Sequence, residues 1–131
     1  MGSYADDALF MSRNNIEYVE LISDDGKSKV MVIPAWQGRV MTTSAAGDEG
    51  DSYGWINYSF IKKRQIDLQF NPVGGEERFW LGPEGGVFSL YFRQGEKQIY
   101  KNWKVPPVLD IEAFKIQSQS KNCICPVSYT H

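Results

Sequence analysis

Asn71-Pro-Val-Gly-Gly-Glu-Glu-Arg-Phe-Trp-Leu-Gly-Pro-Glu-Gly-Gly86 holds five of the chain's twelve glycines and two of its six prolines. Glycine serves where the backbone needs φ > 0 or a close approach, and proline fixes φ and removes a donor. A stretch this dense in both is a shaped loop, not the interior of a strand or helix. It carries three carboxylates (Glu76, Glu77, Glu84), one guanidinium (Arg78) and one indole (Trp80). Two readings follow. One is a polar concave site with an aromatic floor. The other is a pair of tight turns from which Phe79 and Leu81 plug a core. The alternation of Phe79, Trp80 and Leu81 separates them: either Trp80 faces inward or its two neighbours do.

Outward from that loop the chain reads as short strands. Ile66 to Phe70 alternates Ile66, Leu68 and Phe70 against Asp67 and Gln69, a half-buried pattern. Val87 to Phe92 sets Phe88, Leu90 and Phe92 on one face. Upstream, Ile16 to Ile22 and Ser28 to Pro34 flank Ser23-Asp-Asp-Gly-Lys27, a hairpin turn with Asp25-Gly26 at its tip. The second of these strands is apolar on both faces and is expected to be covered on both. Pro34 and Gly38 break it, Arg39 to Ala45 follows as a third strand, and Ala46 to Asp51 is an acidic turn. Gln94-Gly-Glu-Lys-Gln98 is a further turn; Trp103 to Leu109, with Pro106-Pro107, is expected to be an extended connector. Ala113 to Ser118 and Cys123 to Tyr129 complete about seven strands, the last held to an edge by Pro126.

Two short helices are expected. Ser3 and Asp6 have the spacing of a capping box, with Ala5, Ala8, Leu9 and Ser12 on one face and Asn14-Asn15 as the stop. Gly54 to Lys62 has Trp55, Tyr58 and Phe60 or Ile61 at helical spacing. The sum is one all-β domain over residues 1–131, an antiparallel β-sandwich or part of one, with one or two short helices.

Composition bounds the function. Hydrophobic residues make up 42% and aromatics 14%, enough for a core. The net charge of −2 gives no basic footprint for nucleic acid, and Lys62-Lys63-Arg64 reads as a solvated turn. No stretch approaches the roughly 20 apolar residues of a membrane span. The acidic start, Met1-Gly-Ser-Tyr-Ala-Asp-Asp7, is not a signal peptide. The compartment stays open between the cytoplasm and, if a leader has been removed, the periplasm or exterior. Cys123 and Cys125 share one strand face and read as structural thiols; two ligands make no zinc site, and the single histidine is His131. No metal or cofactor enters this reading.

Two stretches carry a family resemblance. Val32-Ile-Pro-Ala-Trp-Gln-Gly-Arg-Val-Met-Thr-Thr-Ser-Ala-Ala-Gly47 resembles an early strand of galactose mutarotase-like proteins. Gly75-Glu-Glu-Arg-Phe-Trp-Leu-Gly-Pro-Glu-Gly-Gly86 resembles a family of that fold common in gut and environmental Bacteroidetes. The resemblance runs from about Ser3 to Ser118 and breaks at Lys121. It implies a β-supersandwich whose concave face binds sugar, of which this chain would be an N-terminal portion. Aldose epimerases of that fold use a histidine acid and a glutamate base from later in the chain. His131 matches neither, so no catalytic role carries over to any position here.

The candidate site residues are therefore Arg78, Trp80, Glu76, Glu84 and Arg39. An indole stacks on a pyranose, while Arg and carboxylate groups bond hydroxyls in pairs. Arg39, following Gly38, either reaches the concave face or pairs with Asp48 or Glu49. Glu76 and Glu84 are the candidate catalytic pair of a sugar-active enzyme, since two carboxyls about 5–10 Å apart serve glycoside chemistry. Trp36, Trp55 and Trp103 are assigned to core or interface. The leading expectation is non-catalytic carbohydrate binding, with an epimerase-like enzyme as the alternative. A third class is a self-associating fragment, a homodimer that covers unpaired edges and an exposed apolar face.

Overall fold

A computed structural model describes residues 2–128. Tyr129, at the end of the last expected strand, and His131 lie outside the described residues. Helix α1 (Tyr4–Arg13) starts as its sequence dictates. Ser3 Oγ accepts from the Asp6 amide at 3.2 Å, and the Asp6 carboxylate accepts from the Ser3 amide at 3.0 Å. Its buried face is not the expected one. Tyr4, Asp7 and Met11 point inward, and Leu9 is exposed. Asp7 is buried because it has partners: the Ser52 and Tyr58 hydroxyls both donate to its carboxylate. Ser52 Oγ also meets Thr42 Oγ1 at 2.5 Å, which fastens the helix to a neighbouring strand.

Strands β1 (Val19–Ile22), β2 (Lys29–Ile33) and β3 (Arg39–Ser44) form one antiparallel sheet in the order β1-β2-β3. The β1–β2 turn is closed by Asp25 Oδ1, which accepts from Ser23 Oγ and the Lys27 amide at 2.6 and 3.0 Å. Met31, Val32 and Ile33 are all buried, so β2 is covered on both faces as its apolar run implies. A register shift between Met31 and Val32 precedes the break at Pro34. The crossing to β3 is a 3-10 turn, Pro34–Trp36, followed by Gln37 at φ +61° and Gly38 at φ +66°. Helix α2 (Tyr58–Lys63) starts later than its spacing suggests, because the Asn57 side chain caps it by accepting from the Phe60 amide at 3.1 Å.

Two expected strands are absent among the described residues. Ile66 to Phe70 is an irregular loop. Asn71 Oδ1 accepts from the Asp67 amide, Asn71 Nδ2 donates to the Asp67 carbonyl, and Asp67 Oδ1 accepts from the Gln69 amide. These local bonds replace a ladder. Val87 to Phe92 is also irregular, and its inward residue is Tyr91, not the Phe88–Leu90 face. Val87 and Phe88 are 91% and 84% exposed. The connector around Pro106-Pro107 is not wholly extended: helix α3 (Pro107–Asp110) begins on Pro107, where a missing amide costs nothing.

Strands β4 (Lys115–Ser120) and β5 (Cys123–Val127) form a separate antiparallel pair. Their hairpin docks on the Pro34–Gly38 crossing. The Phe114 amide donates to the Pro34 carbonyl at 2.9 Å, and Gln37 Nε2 donates to the Glu112 carbonyl at 2.8 Å. Cys123 and Cys125 are free thiols.

Among the described residues the fold is thus mainly antiparallel β, five strands in two sheets with short helices. Two apolar clusters hold it. The first joins α1, α2 and the three-stranded sheet through Tyr4, Met11, Met31, Ile33, Met41 and Ile61. The second gathers Tyr91, Val105 and Leu109, with Phe70, Trp80 and Trp103 packed against them. Among the described residues no helix is long and apolar enough to cross a membrane.

Candidate functional site

The glycine-rich stretch is stitched between the segment that leads into α2 and strand β3. The Asn57 amide donates to the Val73 carbonyl at 3.0 Å, and the Gly75 amide to the Trp55 carbonyl at 2.8 Å. One residue further, the bonds turn to β3. The Glu76 amide donates to the Val40 carbonyl at 2.9 Å, and the Val40 amide to the Glu77 carbonyl at 3.0 Å. Gly74 and Gly75 make this possible at φ +97° and +113°, a region other residues rarely adopt. A Cβ on Gly74 would overlap the Trp55 carbonyl oxygen, and one on Gly75 would stand 2.8 Å from Arg39 Cδ. The bare backbone therefore cradles the Arg39 stem, and the Gly74 carbonyl accepts from Arg39 Nη1 at 2.7 Å.

Arg39 is 3% exposed and lines a cleft of about 410 Å³ with Trp36, Gln37, Asn71, Asp110 and the exposed Arg64. Asp110 organises the inner wall. Its Oδ2 accepts from the Asn71 amide and Asn71 Nδ2 at 2.7 and 2.8 Å, and its Oδ1 from Arg78 Nη2 at 3.3 Å. Arg78 Nη2 also donates to the Leu109 carbonyl. Burial pushes the Arg39 guanidinium down to about 10, the nearby Arg78 charge adds to this, and Asp110 opposes it. Arg78 is lowered by burial too, against the pull of Asp110. Arg39 Nε and Gln37 Oε1 are buried without a hydrogen-bond partner among the described residues. Around Asp110 the wall thus combines the Trp36 indole, the Gln37 and Asn71 carboxamides, a carboxylate and the Arg39 guanidinium, which has unused bonding capacity.

The five residues expected at the site fall in different places. Arg39 lines the cleft, and it does not form an ion pair with Asp48 or Glu49. Arg78 reaches the same wall from behind, through Asp110. Trp80 packs into the second apolar cluster while Phe79 and Leu81 are the exposed neighbours. Its ring stacks on Tyr91 at 5.2 Å, the Arg78 guanidinium stands 4.3 Å from its centroid, and its Nε1 donates to Glu84 Oε1 at 2.7 Å. Both ring and N–H are therefore already engaged. Glu76 Oε1 accepts from the Thr43 amide and hydroxyl at 2.6 and 3.0 Å. Neither Glu76 nor Glu84 lines the cleft. Trp36, assigned to core or interface, both packs on the first cluster and walls the cleft.

Asp110 carries no signal that singles it out in the sequence alone, and Asn71 stands out only as the start of the glycine-rich stretch. Asp110 follows the Pro106-Pro107 connector with no local pattern around it, and its partners lie 32 and 39 residues away. Gln37 has one signal in hindsight, its place between a proline turn and Gly38. Among the described residues no group of three or more His, Cys, Asp or Glu could hold a metal ion. Comparison with curated proteins and with solved structures gave no match. A family model does match residues 2–128, and the chain belongs to that family of unknown function (DUF6786).

Proposed function

We propose that the cleft binds a carbohydrate without transforming it. The observation that carries this reading is the meeting of Trp36 with Gln37, Arg39, Asn71 and Asp110 in one cavity of about 410 Å³. Small-molecule sites combine an apolar or aromatic wall with a few convergent polar groups. A pyranose suits both: its axial C–H face packs on an indole, and its hydroxyls take bonds from planar guanidinium and amide groups. The galactose mutarotase-like resemblance supports the same ligand class, and with it a β-sandwich as the finer architecture. An epimerase-like activity on Glu76 and Glu84 would need both carboxylates at one substrate, whereas Thr43 and Trp80 hold them.

Tryptophan fluorescence titrated with neutral hexoses, disaccharides and uronic acids tests the proposal in wild type, Trp36→Ala and Trp80→Ala. Saturable binding that Trp36→Ala abolishes and Trp80→Ala keeps supports the cleft. The reverse pattern moves the site to the glycine-rich stretch, and no response to any sugar rejects carbohydrate binding.

A second reading rests on exposure. Val87, Phe88 and Leu90 are exposed within four residues, and Leu68 is 76% exposed. Such apolar surface favours self-association, as a homodimer. Sedimentation over a concentration series tests it; a strict monomer at high concentration rejects it.

A further inference from the structure

We infer that the ligand presents one negatively charged group, a carboxylate or phosphate, to Arg39. The inference deepens the carbohydrate reading and makes the ligand an acidic sugar. It rests on an imbalance of buried charge. Arg39 and Arg78 stand around one carboxylate, Asp110, and that carboxylate is already taken. Two donors from Asn71 occupy Oδ2, and Arg78 occupies Oδ1. Arg39 has the Gly74 carbonyl as its acceptor, its Nε lacks one, and no carboxylate lies within ion-pair distance among the described residues. A buried guanidinium ordinarily has a counter-ion, because removing a charge from water without one is unfavourable. Among the described residues Asp110 is the one acidic residue on the cleft wall, and Arg64 adds a further positive charge at its rim. Arg39 and Arg78 against Asp110 leave one positive charge uncompensated, Arg64 makes it two, and Arg39 and Arg64 both line the cleft.

The geometry also suits an oxyanion. A guanidinium donates from a rigid fork that matches carboxylate and phosphate oxygens, whereas a neutral hydroxyl uses only part of it. Gly74 and Gly75 fix the stem of that fork, so its orientation is set before any ligand arrives.

Calorimetric titration of the whole chain with glucuronate, glucuronamide, glucose, glucose 6-phosphate, acetate and inorganic phosphate tests this. The expected result is that glucuronate or glucose 6-phosphate binds about tenfold or more tightly than glucose and glucuronamide. Glucuronate against glucose 6-phosphate then tells carboxylate from phosphate. Arg39→Met, which keeps the length of the stem, should abolish the preference, and Arg39→Lys should keep part of it. Equal binding of charged and neutral sugars would overturn the charge inference and leave the carbohydrate reading standing. Acetate or phosphate binding as tightly as the acidic sugars would do the opposite. No binding of any probe would overturn both. The wild-type comparison among ligands decides the matter even if Arg39→Met does not fold.

Discussion

Asp110→Ala should destabilise the chain by about 3–5 kcal/mol, the range for breaking a buried, hydrogen-bonded ion pair. The Asp110 side chain is 1% exposed, and three donors converge on it. Truncation leaves the Asn71 amide without its acceptor at a residue 7% exposed, and Arg78 without its counter-charge. Each orphaned donor alone costs about 1–3 kcal/mol, so the upper range needs no further contribution. Arg78→Met should cost less, about 1.5–3 kcal/mol, because Asn71 still satisfies Oδ2. The double variant Asp110→Ala with Arg78→Met removes both charges and should be less destabilised than the sum of the two single changes by about 1–3 kcal/mol. Urea unfolding followed by circular dichroism and tryptophan fluorescence gives all three values. A loss below about 1 kcal/mol for Asp110→Ala, or strict additivity in the double variant, would refute the view that this carboxylate organises the cleft wall.

Other perturbations probe the periphery and the turns. Asp24→Ala breaks an ion pair to Lys121 in which both side chains are largely exposed, and should change stability by less than about 0.5 kcal/mol in the same urea assay. Gly74→Ala adds a backbone overlap with Trp55 to the strain of its positive φ and should cost more than about 3 kcal/mol; Gly86→Ala, at φ +89° in open space, carries the strain alone and should cost about 1–2 kcal/mol. The Tyr58 phenol is raised from 10.0 by burial and then by Asp7, so its stabilising contribution is complete below pH 10 and is lost as pH rises through the folded value. In an alkaline titration at about 295 nm, where phenolate absorbs, Tyr58→Phe should remove one late-ionising phenol and flatten the fall in stability above about pH 10.

Local chemistry makes part of this fold legible. The Ser3–Asp6 box, the Asp25-Gly26 turn and the Pro34–Gly38 break act within a few residues, so their sequence pattern is sufficient. Alternation is weaker guidance. Ile66 to Phe70 alternates, but alternation names no partner strand, and the Asp67 and Asn71 side chains offer the backbone nearer bonds. The inward face of α1 differs from its pattern because Asp7 reads as a solvent residue until Ser52 and Tyr58 are seen beside it. At the site, Arg39 is legible from its place after Gly38. Asp110, Asn71 and Gln37 are not, because what makes them functional candidates is contact across 39 and 75 residues.

The stitching of residues 73–77 onto Trp55 and Val40 has a consequence for when the cleft exists. The bonds that close its wall span 35, 39 and 75 residues, from Arg39 to Gly74, Asn71 to Asp110 and Gln37 to Glu112. Helix α1 and the β1–β2 hairpin need no such closure. Long loops lose more chain entropy before their contacts form, so the helix and hairpin should be native before the cleft is. Opening runs the same order backwards. The amides of Gly75 and Glu76 should exchange with solvent ahead of those in β2, and a bound ligand should slow them selectively, making the cleft a part of the chain that matures last and is held shut by what fills it.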